Sequence, residues 1–395
     1  MFNHLIKLLW NKRRANGLIF LEILLAFVVL FGVYGFAFYN YERYSSPLGF
    51  SYENSIGIRV DIQDNLDSLD VLKLQERIIR QVNDIPGVVS ATFLGPVNPF
   101  GGSNWGTGSD DNGFNLYTRM FFADEHFAET MELEFREGRW FEERDKSAKY
   151  EPIVVNGFLI DKYYPDAASM VDSVILIQGE KQIIGIVEDF KYASNFQEND
   201  ALTFFPQRSY YRASDDGPPF EQLIVRTSPG QTAAVEEPIY NLLINLTKNT
   251  NVVIWNMAED RVKANRPVMI PLIIMTTISA FLLLNIALGL FGVLFTQINH
   301  RRAEIGLRKA MGATPGEVTT QFIGETLLVT VAALLLGTFF AVQVPLLELL
   351  PIPAKFFYLS IGAASVTILL IVLLCALIPS RQAAGLHPAH VLHEQ

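Results

Sequence analysis

The chain has 395 residues, of which half are hydrophobic and only 18% are charged, and its formal net charge is −10. Because a soluble domain carries about 25% charged residues, this composition excludes a disordered chain and argues against a fully soluble enzyme. The acidic balance argues against a nucleic-acid partner. Cys375 is the single cysteine, so neither an intrachain disulfide nor a cysteine metal cluster can form.

Four apolar stretches are long enough to cross a bilayer as helices, which takes roughly 20 residues. They are residues 17–40, 268–298, 321–347 and 358–379. The first stretch is too long for the apolar part of a signal peptide, and no cleavage site follows it. We therefore predict four transmembrane helices rather than the buried core helices of a large soluble protein.

The basic residues predict the orientation of these helices, because cytoplasmic loops carry an excess of lysine and arginine. The clustered bases are Lys7, Lys12, Arg13, Arg14, Arg301, Arg302, Arg308, Lys309 and Arg381. We expect cytoplasmic segments at 1–16, 299–320 and 380–395, a short outer loop at 348–357, and an extracytoplasmic domain at 41–267. This arrangement is a multi-pass protein of the cell inner (plasma) membrane with both termini in the cytoplasm.

The extracytoplasmic segment has the patterns of a mixed α+β domain. Apolar or alternating runs predict strands at 55–62, 88–94, 152–155, 174–178, 183–187, 222–226 and 252–255. Helical spacing predicts helices at 71–82, 124–135 and 233–246, and a Gly/Asn/Ser-rich stretch predicts an exposed, mobile loop at 98–115. The acidity of the segment serves solubility or, alternatively, faces a cationic substrate or partner.

The sequence contains none of the motifs of common enzyme chemistry: no G-x-x-x-x-G-K-[ST] phosphate loop, no G-x-S-x-G and no H-E-x-x-H. The spacing of His387, His390 and His393 favours a solvated tail over a metal site. Paired acids such as Asp110 and Asp111 favour solvated loops over an acid–base pair. We therefore expect no catalytic residue, no metal site and no cofactor in this chain, and no enzymatic activity of its own.

Two acidic residues lie inside the predicted spans, where a charge is costly and functional by default. Glu22 and Glu325 are each near the predicted cytoplasmic start of a span, where snorkelling or a helix N-terminus would satisfy a carboxylate. For Glu22, a packing or coupling role stays open beside this simple one. No chain of ionisable groups predicts a proton relay, and no Gly/Pro-interrupted helix pair predicts a midplane transport site.

The segment at 299–320 predicts a short amphipathic helix at the inner membrane surface. Residues 301–311 have helical composition, and Glu304 and Arg308 are spaced as a favourable i,i+4 pair. The apolar side chains that could share one face are Ile298, Ile305 and Met311. Such a helix either lies on lipid or docks onto a cytoplasmic protein.

The same segment carries a stop signal followed by a start signal. Gly312 is typical of a helix end. Thr314, Pro315 and Glu317 have the spacing of a capping box with proline at the first helical position. A new helix is therefore predicted to begin directly after the amphipathic one.

These residues resemble a known family. EIGLRKAMGAT at 304–314 looks like the cytoplasmic loop signature of MacB/FtsX-type permeases, the membrane subunits of type VII ABC transporters. QFIGETLLV at 321–329 and IPSRQAAGLHPAHVLHEQ at 378–395 resemble the opening of the family's third span and its C-terminal end. FREGRWF, EPIVVNGFLIDKYYP and IIGIVEDFKYAS, all in the outer segment, are similar to the MacB-like periplasmic core domain. The resemblance covers almost the whole chain in the family's order.

The resemblance implies four membrane helices and a two-subdomain α+β outer domain carried on continuous helical stalks. It implies a dimer with a second, identical or related permease subunit, a cytoplasmic ABC ATPase dimer that binds ATP and magnesium, and a periplasmic adaptor as a further candidate partner. ATPase movement would pass through the spans to the outer domain, driving export or extraction of a peptide, antibiotic or lipoprotein. The residues implied to couple to the ATPase are Glu304, Ile305, Gly306, Arg308, Lys309, Met311 and Gly312.

The chain departs from the family in two respects. These 395 residues contain no segment that resembles the nucleotide-binding domain fused in MacB itself, so we expect an ATPase on a separate subunit. The stretch at 98–115 looks like an insertion, which leaves the substrate undefined.

Other functions stay open at this point. A lipoprotein-extracting or cell-wall-hydrolase-regulating complex would differ in its client and not in its mechanics. A membrane sensor or receptor would use the outer domain to bind a ligand or partner, and a copurifying ATPase would discriminate it from a transporter subunit.

Overall fold

The computed structural model describes residues 13–60, 68–101, 105–208, 221–248, 251–301, 304–305, 307 and 310–384. The chain forms two compact units. Arg43–Pro267 is one unit, here called the sheet domain; Met1–Glu42 with Val268–Gln395 is the other, here called the helical unit.

The sheet domain is built around one mixed sheet. Its strands are β1 (Ser55–Val60), β2 (Val88–Leu94), β3 (Gly106–Ser109), β4 (Leu116–Ala123), β5 (Phe135–Gly138), β6 (Glu151–Asn156), β7 (Val174–Leu176), β8 (Glu180–Val187), β9 (Leu202–Pro206), β10 (Glu221–Thr227) and β11 (Val252–Asn256). Their order across the sheet is β11-β1-β10-β2-β4-β9-β6-β8-β5, with β3 on β4 and β7 on β8. The pairs β4–β9 and β6–β8 are parallel.

Short helices pack on this sheet, and four long helices supply the helical unit. They are α1 (Arg13–Ser45), α2 (Ser68–Asn83), α3 (Phe127–Thr130), α4 (Gly157–Tyr163), α5 (Thr232–Thr247), α6 (Met257–His300), α7 (Pro315–Leu346) and α8 (Ala354–Ala384), with a 3₁₀ helix at Glu143–Ser147.

The sheet carries a core on each face. Along β6, Ile153 and Val155 belong to one core and Val154 to the other, because successive side chains of a strand point to opposite faces. The first core includes Ile78 of α2 and Ile239 of α5. Since both faces are covered, central strands are apolar throughout rather than alternating.

The second core is rich in aromatic side chains. The ring of Phe204 lies 5.1 Å from Trp140, 5.3 Å from Phe190 and 5.8 Å from Phe127, measured between centroids. Edge-to-face and tilted contacts of this kind add to the free energy gained by burying the rings.

The pairing between β2 and β4 is short, with the single register pair Leu94↔Ala123. This junction between the two halves of the sheet is here called the seam. Asp124 crosses this seam: its Oδ2 accepts from Phe93 N at 2.7 Å and its Oδ1 from Thr92 Oγ1 at 2.5 Å. Burial raises the pKa of Asp124 to about 6, although both hydrogen bonds oppose that rise. The side chain of Asp124 therefore joins the two halves of the sheet, and burial makes its ionised form less favourable than it would be in water.

Several predicted elements coincide with the structure. The strand predicted at 88–94 is β2, and the helix predicted at 233–246 is α5, within one residue at each end. In each case the apolar spacing is local and continuous over the whole element, so the sequence alone is sufficient.

Other predictions need correction. The helix predicted at 124–135 is only the short α3, because the chain turns at Glu132, whose φ is +51°. The stretch 98–115 is not wholly a loop, since β3 pairs with β4 through backbone bonds that need no apolar side chains. The strands β4, β5 and β9 were not predicted either.

Among the residues that the structure describes, four helices are long and apolar enough to cross a membrane: Gly17–Ser45 of α1, Met257–His300, Pro315–Leu346, and Ala354–Arg381 of α8. The helices α6 and α7 begin before their predicted spans, at Met257 and Pro315. The first turns of both helices are polar, so a prediction from hydropathy places the start of each helix too late. Four such helices with a sheet-rich domain between the first and second confirm the predicted fold class.

The helical unit packs through small residues. Phe27 of α1 is fully buried against Gly337 of α7, where a Cβ would lie 2.5 Å from the Phe27 ring. Tyr34 OH and Thr367 Oγ1, on α1 and α8, are 3.0 Å apart. Close contact at small residues and interhelical hydrogen bonds are typical of helices in lipid.

Candidate functional site

The connection between α6 and α7, residues 301–314, is here called the basic loop. Of the residues implied to couple to an ATPase, Gly306, Arg308 and Lys309 lie outside the described residues, so their predicted role stays a prediction. The structure places the other four, Glu304, Ile305, Met311 and Gly312.

The predicted apolar face of the loop helix divides in two. Ile305 is 3% exposed and packs with Ile298 of α6 and with Val318 and Phe322 of α7. Met311 is 73% exposed and lies outside this cluster. Ile305 is thus an internal anchor of the loop. The prediction that Ile298, Ile305 and Met311 could line one apolar face holds for Ile298 and Ile305 and is wrong for Met311.

An ion pair fastens the loop to α7. Arg301 Nη1 donates to both carboxylate oxygens of Glu325, at 3.2 and 3.0 Å, and each side chain is about one-tenth exposed. Gln321 Nε2 donates to Glu325 Oε1 at 3.1 Å, and Arg301 Nε lies 3.6 Å from Glu304 Oε2. Because a single guanidinium nitrogen donates to both oxygens, it is held between them, and charge-assisted hydrogen bonds of this kind are stronger than neutral ones.

This pair corrects the sequence-based view of Glu325. Its carboxylate is satisfied by Arg301, not by snorkelling or a helix N-terminus, and it lies three turns into α7 because that helix begins at Pro315. Arg301 was missed as a site residue. The sequence does show a base, Arg301, directly after the second span and an acid, Glu325, in the third. It does not show that the two side chains are in contact.

The helix signals of the loop are confirmed. Gly312 has a φ of +101°, which favours glycine. Thr314 Oγ1 accepts from Glu317 N at 3.3 Å, and Glu317 Oε2 accepts from Thr314 N at 2.8 Å. This capping box begins α7 at Pro315 and gives the loop a defined end.

Glu22 lies against α6. A Cβ at Gly289 would come within 2.7 Å of Glu22 Oε1, so the glycine makes room for the carboxylate. The contact places Glu22 at a helix–helix interface, and its role stays a prediction.

The basic loop is packed rather than open. The space enclosed by Arg301, Ile305 and Phe322 is about 10 Å³, at the lower limit for one water molecule. Across the residues that the structure describes, no group of three or more His, Cys, Asp or Glu side chains could hold a metal ion.

Two family models match this chain: the MacB-like periplasmic core domain over residues 23–241 and the FtsX-like permease C-terminal segment over residues 276–388. The macrolide export ATP-binding/permease protein MacB of Acinetobacter baylyi is 24% identical over 270 residues, which are 67% of this chain and 40% of that protein. The pyoverdine export ATP-binding/permease protein PvdT of Pseudomonas aeruginosa is 26% identical over 303 residues, 72% of this chain and 45% of that protein. The chain therefore spans less than half the length of these curated relatives.

Among solved structures, the periplasmic region of MacB from Actinobacillus actinomycetemcomitans aligns with a TM-score of 0.37 and 12% identity. That alignment covers 52% of this chain and 89% of the other.

Proposed function

Since this chain belongs to the family of permeases with a MacB-like periplasmic core domain and an FtsX-like C-terminal segment, we propose that it is the non-catalytic membrane subunit of an ABC transporter. A separate cytoplasmic ATPase dimer binds ATP and magnesium, and its movement is passed through the membrane helices to the sheet domain. The chain contributes no phosphate loop of its own within its 395 residues.

The observation that supports this proposal is the construction of the basic loop. The loop is held to α6 and α7 by the Ile305 cluster and by the Arg301–Glu325 pair, while Leu307 and Met311 are 56% and 73% exposed. An ATPase that binds the two exposed side chains would displace the loop and both helices together. A loop that only rested on lipid would need no buried ion pair beneath it, because burying charges is costly.

The orientation follows from the same role. The basic loop and both termini face the cytoplasm, where ATP is available, and the sheet domain lies on the other side of the inner membrane. A second permease subunit, identical or related, completes the dimer, and a periplasmic adaptor is a further partner. The substrate class is a peptide, an antibiotic or a lipoprotein that reaches the sheet domain from outside the inner membrane.

The test is affinity purification of the tagged full chain in mild detergent, followed by mass spectrometry and an ATP turnover assay. We expect an ABC ATPase to copurify with the wild-type chain and to be lost with Leu307→Asp/Met311→Asp, since apolar interface positions commonly cost about 2 kcal/mol or more when disrupted. Leu349→Asp is the matched control, because Leu349 is 61% exposed and lies in the other loop of the helical unit.

The outcomes separate the alternatives. An ATPase that copurifies equally with wild type and double variant would place its binding site elsewhere on the chain. A wild-type chain that brings no ATPase but binds an outer ligand or a cell-wall hydrolase would favour the sensor or regulator function. Ile305→Asp is not a suitable probe, because the side chain is part of the chain's own core.

A further inference from the structure

The segment after β8, residues 190–199, is here called the tie loop. It contacts two helix ends within the sheet domain: the last turn of α1, which ends at Ser45, and the first turns of α6, which begins at Met257. Because the sheet domain is an internal segment of the chain, α1 and α6 are its two covalent connections to the remainder.

At the α1 end, the tie loop inserts a buried amine. Lys191 is 2% exposed, and its Nζ donates to Arg43 O at 2.5 Å, to Asn195 O at 3.3 Å and to Ser46 Oγ. Its backbone N donates to Leu48 O at 2.8 Å. The last carbonyls of a helix have no partner within the helix, and a positive charge there is favoured by the helix dipole. Lys191 thus closes the end of α1.

At the α6 end, two buried amides pair with each other. Asn195 and Asn265 are 4% and 7% exposed; Asn195 N donates to Asn265 Oδ1, and Asn265 Nδ2 donates to Asn195 Oδ1, both at 3.0 Å. Arg261 Nε also donates to Asn195 Oδ1, at 2.8 Å, and Arg261 Nη1 donates to Tyr52 OH at 2.6 Å. The start of α6 is therefore bonded to the tie loop and to the segment that follows α1.

These contacts form one continuous network. Asn195 is shared by both ends, since its carbonyl accepts from Lys191 and its side chain from Arg261 and Asn265. Apolar packing would give stability without such specificity, whereas a buried polar network holds its members in one arrangement only when every bond is made.

We propose that the tie loop is a mechanical joint, which holds the end of α1 and the start of α6 to the sheet so that a displacement of either helix moves the domain as one body. Lys191, Asn195 and Asn265 are its positioning residues. The proposal rests on the proposed function for its biological meaning, but the joint itself is a property of this chain alone.

The experiment is hydrogen–deuterium exchange on the full chain in lipid nanodiscs. In Asn265→Leu, which removes both amide bonds, we expect exchange in the tie loop to become roughly tenfold faster, equivalent to about 1.4 kcal/mol. A joint also requires faster exchange in peptides covering residues 43–52, which lie beyond the hydrogen bonds that Asn265 makes with Asn195. Asn265→Asp keeps the acceptor for Asn195 N but places a carboxylate oxygen against Asn195 Oδ1, so exchange should become faster at the same positions. Asp260→Ala, at an exposed ion pair with Lys263 on the same helix, is the control and should change neither region.

Faster exchange confined to residues 194–196 and 261–265, with residues 43–52 unchanged, would overturn the joint. If both Asn265 variants show this confined pattern, a general folding defect is excluded as its cause, because misfolding would speed exchange elsewhere in the chain as well. A second measurement adds function: in Asn265→Leu the copurifying ATPase should still hydrolyse ATP while the transport-linked phenotype is lost. If no ATPase copurifies with the wild-type chain, the proposed function is refuted. The exchange pattern would still show whether the tie loop acts as a joint.

Discussion

The sheet domain and the helical unit hold polar groups in opposite ways. In the sheet domain, Asn195 is buried in a network of several neutral and charged partners. In the helical unit, Arg301 Nη1 donates to both carboxylate oxygens of Glu325, with Gln321 as an additional donor. Loops of a water-exposed domain can supply many donors and acceptors, whereas helices in lipid have already used their backbone groups. A polar contact in the helical unit therefore depends on fewer groups, so the loss of one of them is expected to have a large effect.

The apolar contacts differ in the same sense. Phe204 in the sheet domain is surrounded by large rings, and water drives these rings together. Phe27 in the helical unit contacts a glycine, and lipid offers no comparable driving force, so the fit of the surfaces decides. Breaking one contact of each kind tests this difference.

The largest effect is expected at the buried ion pair. Glu325→Ala removes the buried partner of Arg301 at a site where both side chains are about one-tenth exposed, and leaves Arg301 its longer contact with Glu304. Removing one partner of a buried pair costs about 3–5 kcal/mol. The measurement is thermal or denaturant unfolding in detergent. Glu304→Ala removes the longer contact of Arg301 with a side chain that is 44% exposed, so it should cost less than about 1 kcal/mol. Equal effects of the two variants would contradict the view of Glu325 as the anchor.

The next effect tests the close helix contact. Gly337→Ala places a Cβ 2.5 Å from the Phe27 ring, and overpacking of this kind costs about 1–3 kcal/mol. Gly324→Ala is a matched control on the same helix, because no atom of the described residues beyond its own helical turn lies within 4 Å of its Cβ position. It should be neutral or stabilising by up to about 1 kcal/mol, since alanine favours helix over glycine. Comparable melting temperatures for the two variants in the same detergent would argue against close packing at Gly337.

The smallest effect concerns the seam of the sheet. Because burial raises the pKa of Asp124 to about 6 from 3.8, its contribution to stability is complete below about pH 4 and is lost as the pH rises through 6. Between pH 5 and 7.5 the wild type should lose about 1 kcal/mol more than Asp124→Asn, which does not titrate. Urea unfolding of the full chain at the two pH values measures this difference. Parallel pH profiles for wild type and variant would show that Asp124 is not the group responsible.

Local patterns of the sequence determined much of this protein. The four spans follow from uninterrupted apolar runs, β2 and α5 from their apolar spacing, and the start of α7 from Thr314 and Glu317, which lie three residues apart. Each of these features depends on residues within one or two turns or one strand. Their physical causes, side-chain periodicity and helix capping, are therefore present in any short window of the sequence.

Only the tertiary structure decided which of these residues meet. Arg301 and Glu325 are 24 residues apart, and Asn195 and Asn265 are 70 apart. The same holds for Ile305, whose spacing is compatible with an exposed face as well as with the core it joins. Contacts of this kind depend on the order of the strands, the register of their pairing and the rotation of each helix about its axis. Those are set by the packing of the whole chain, and no local segment carries them.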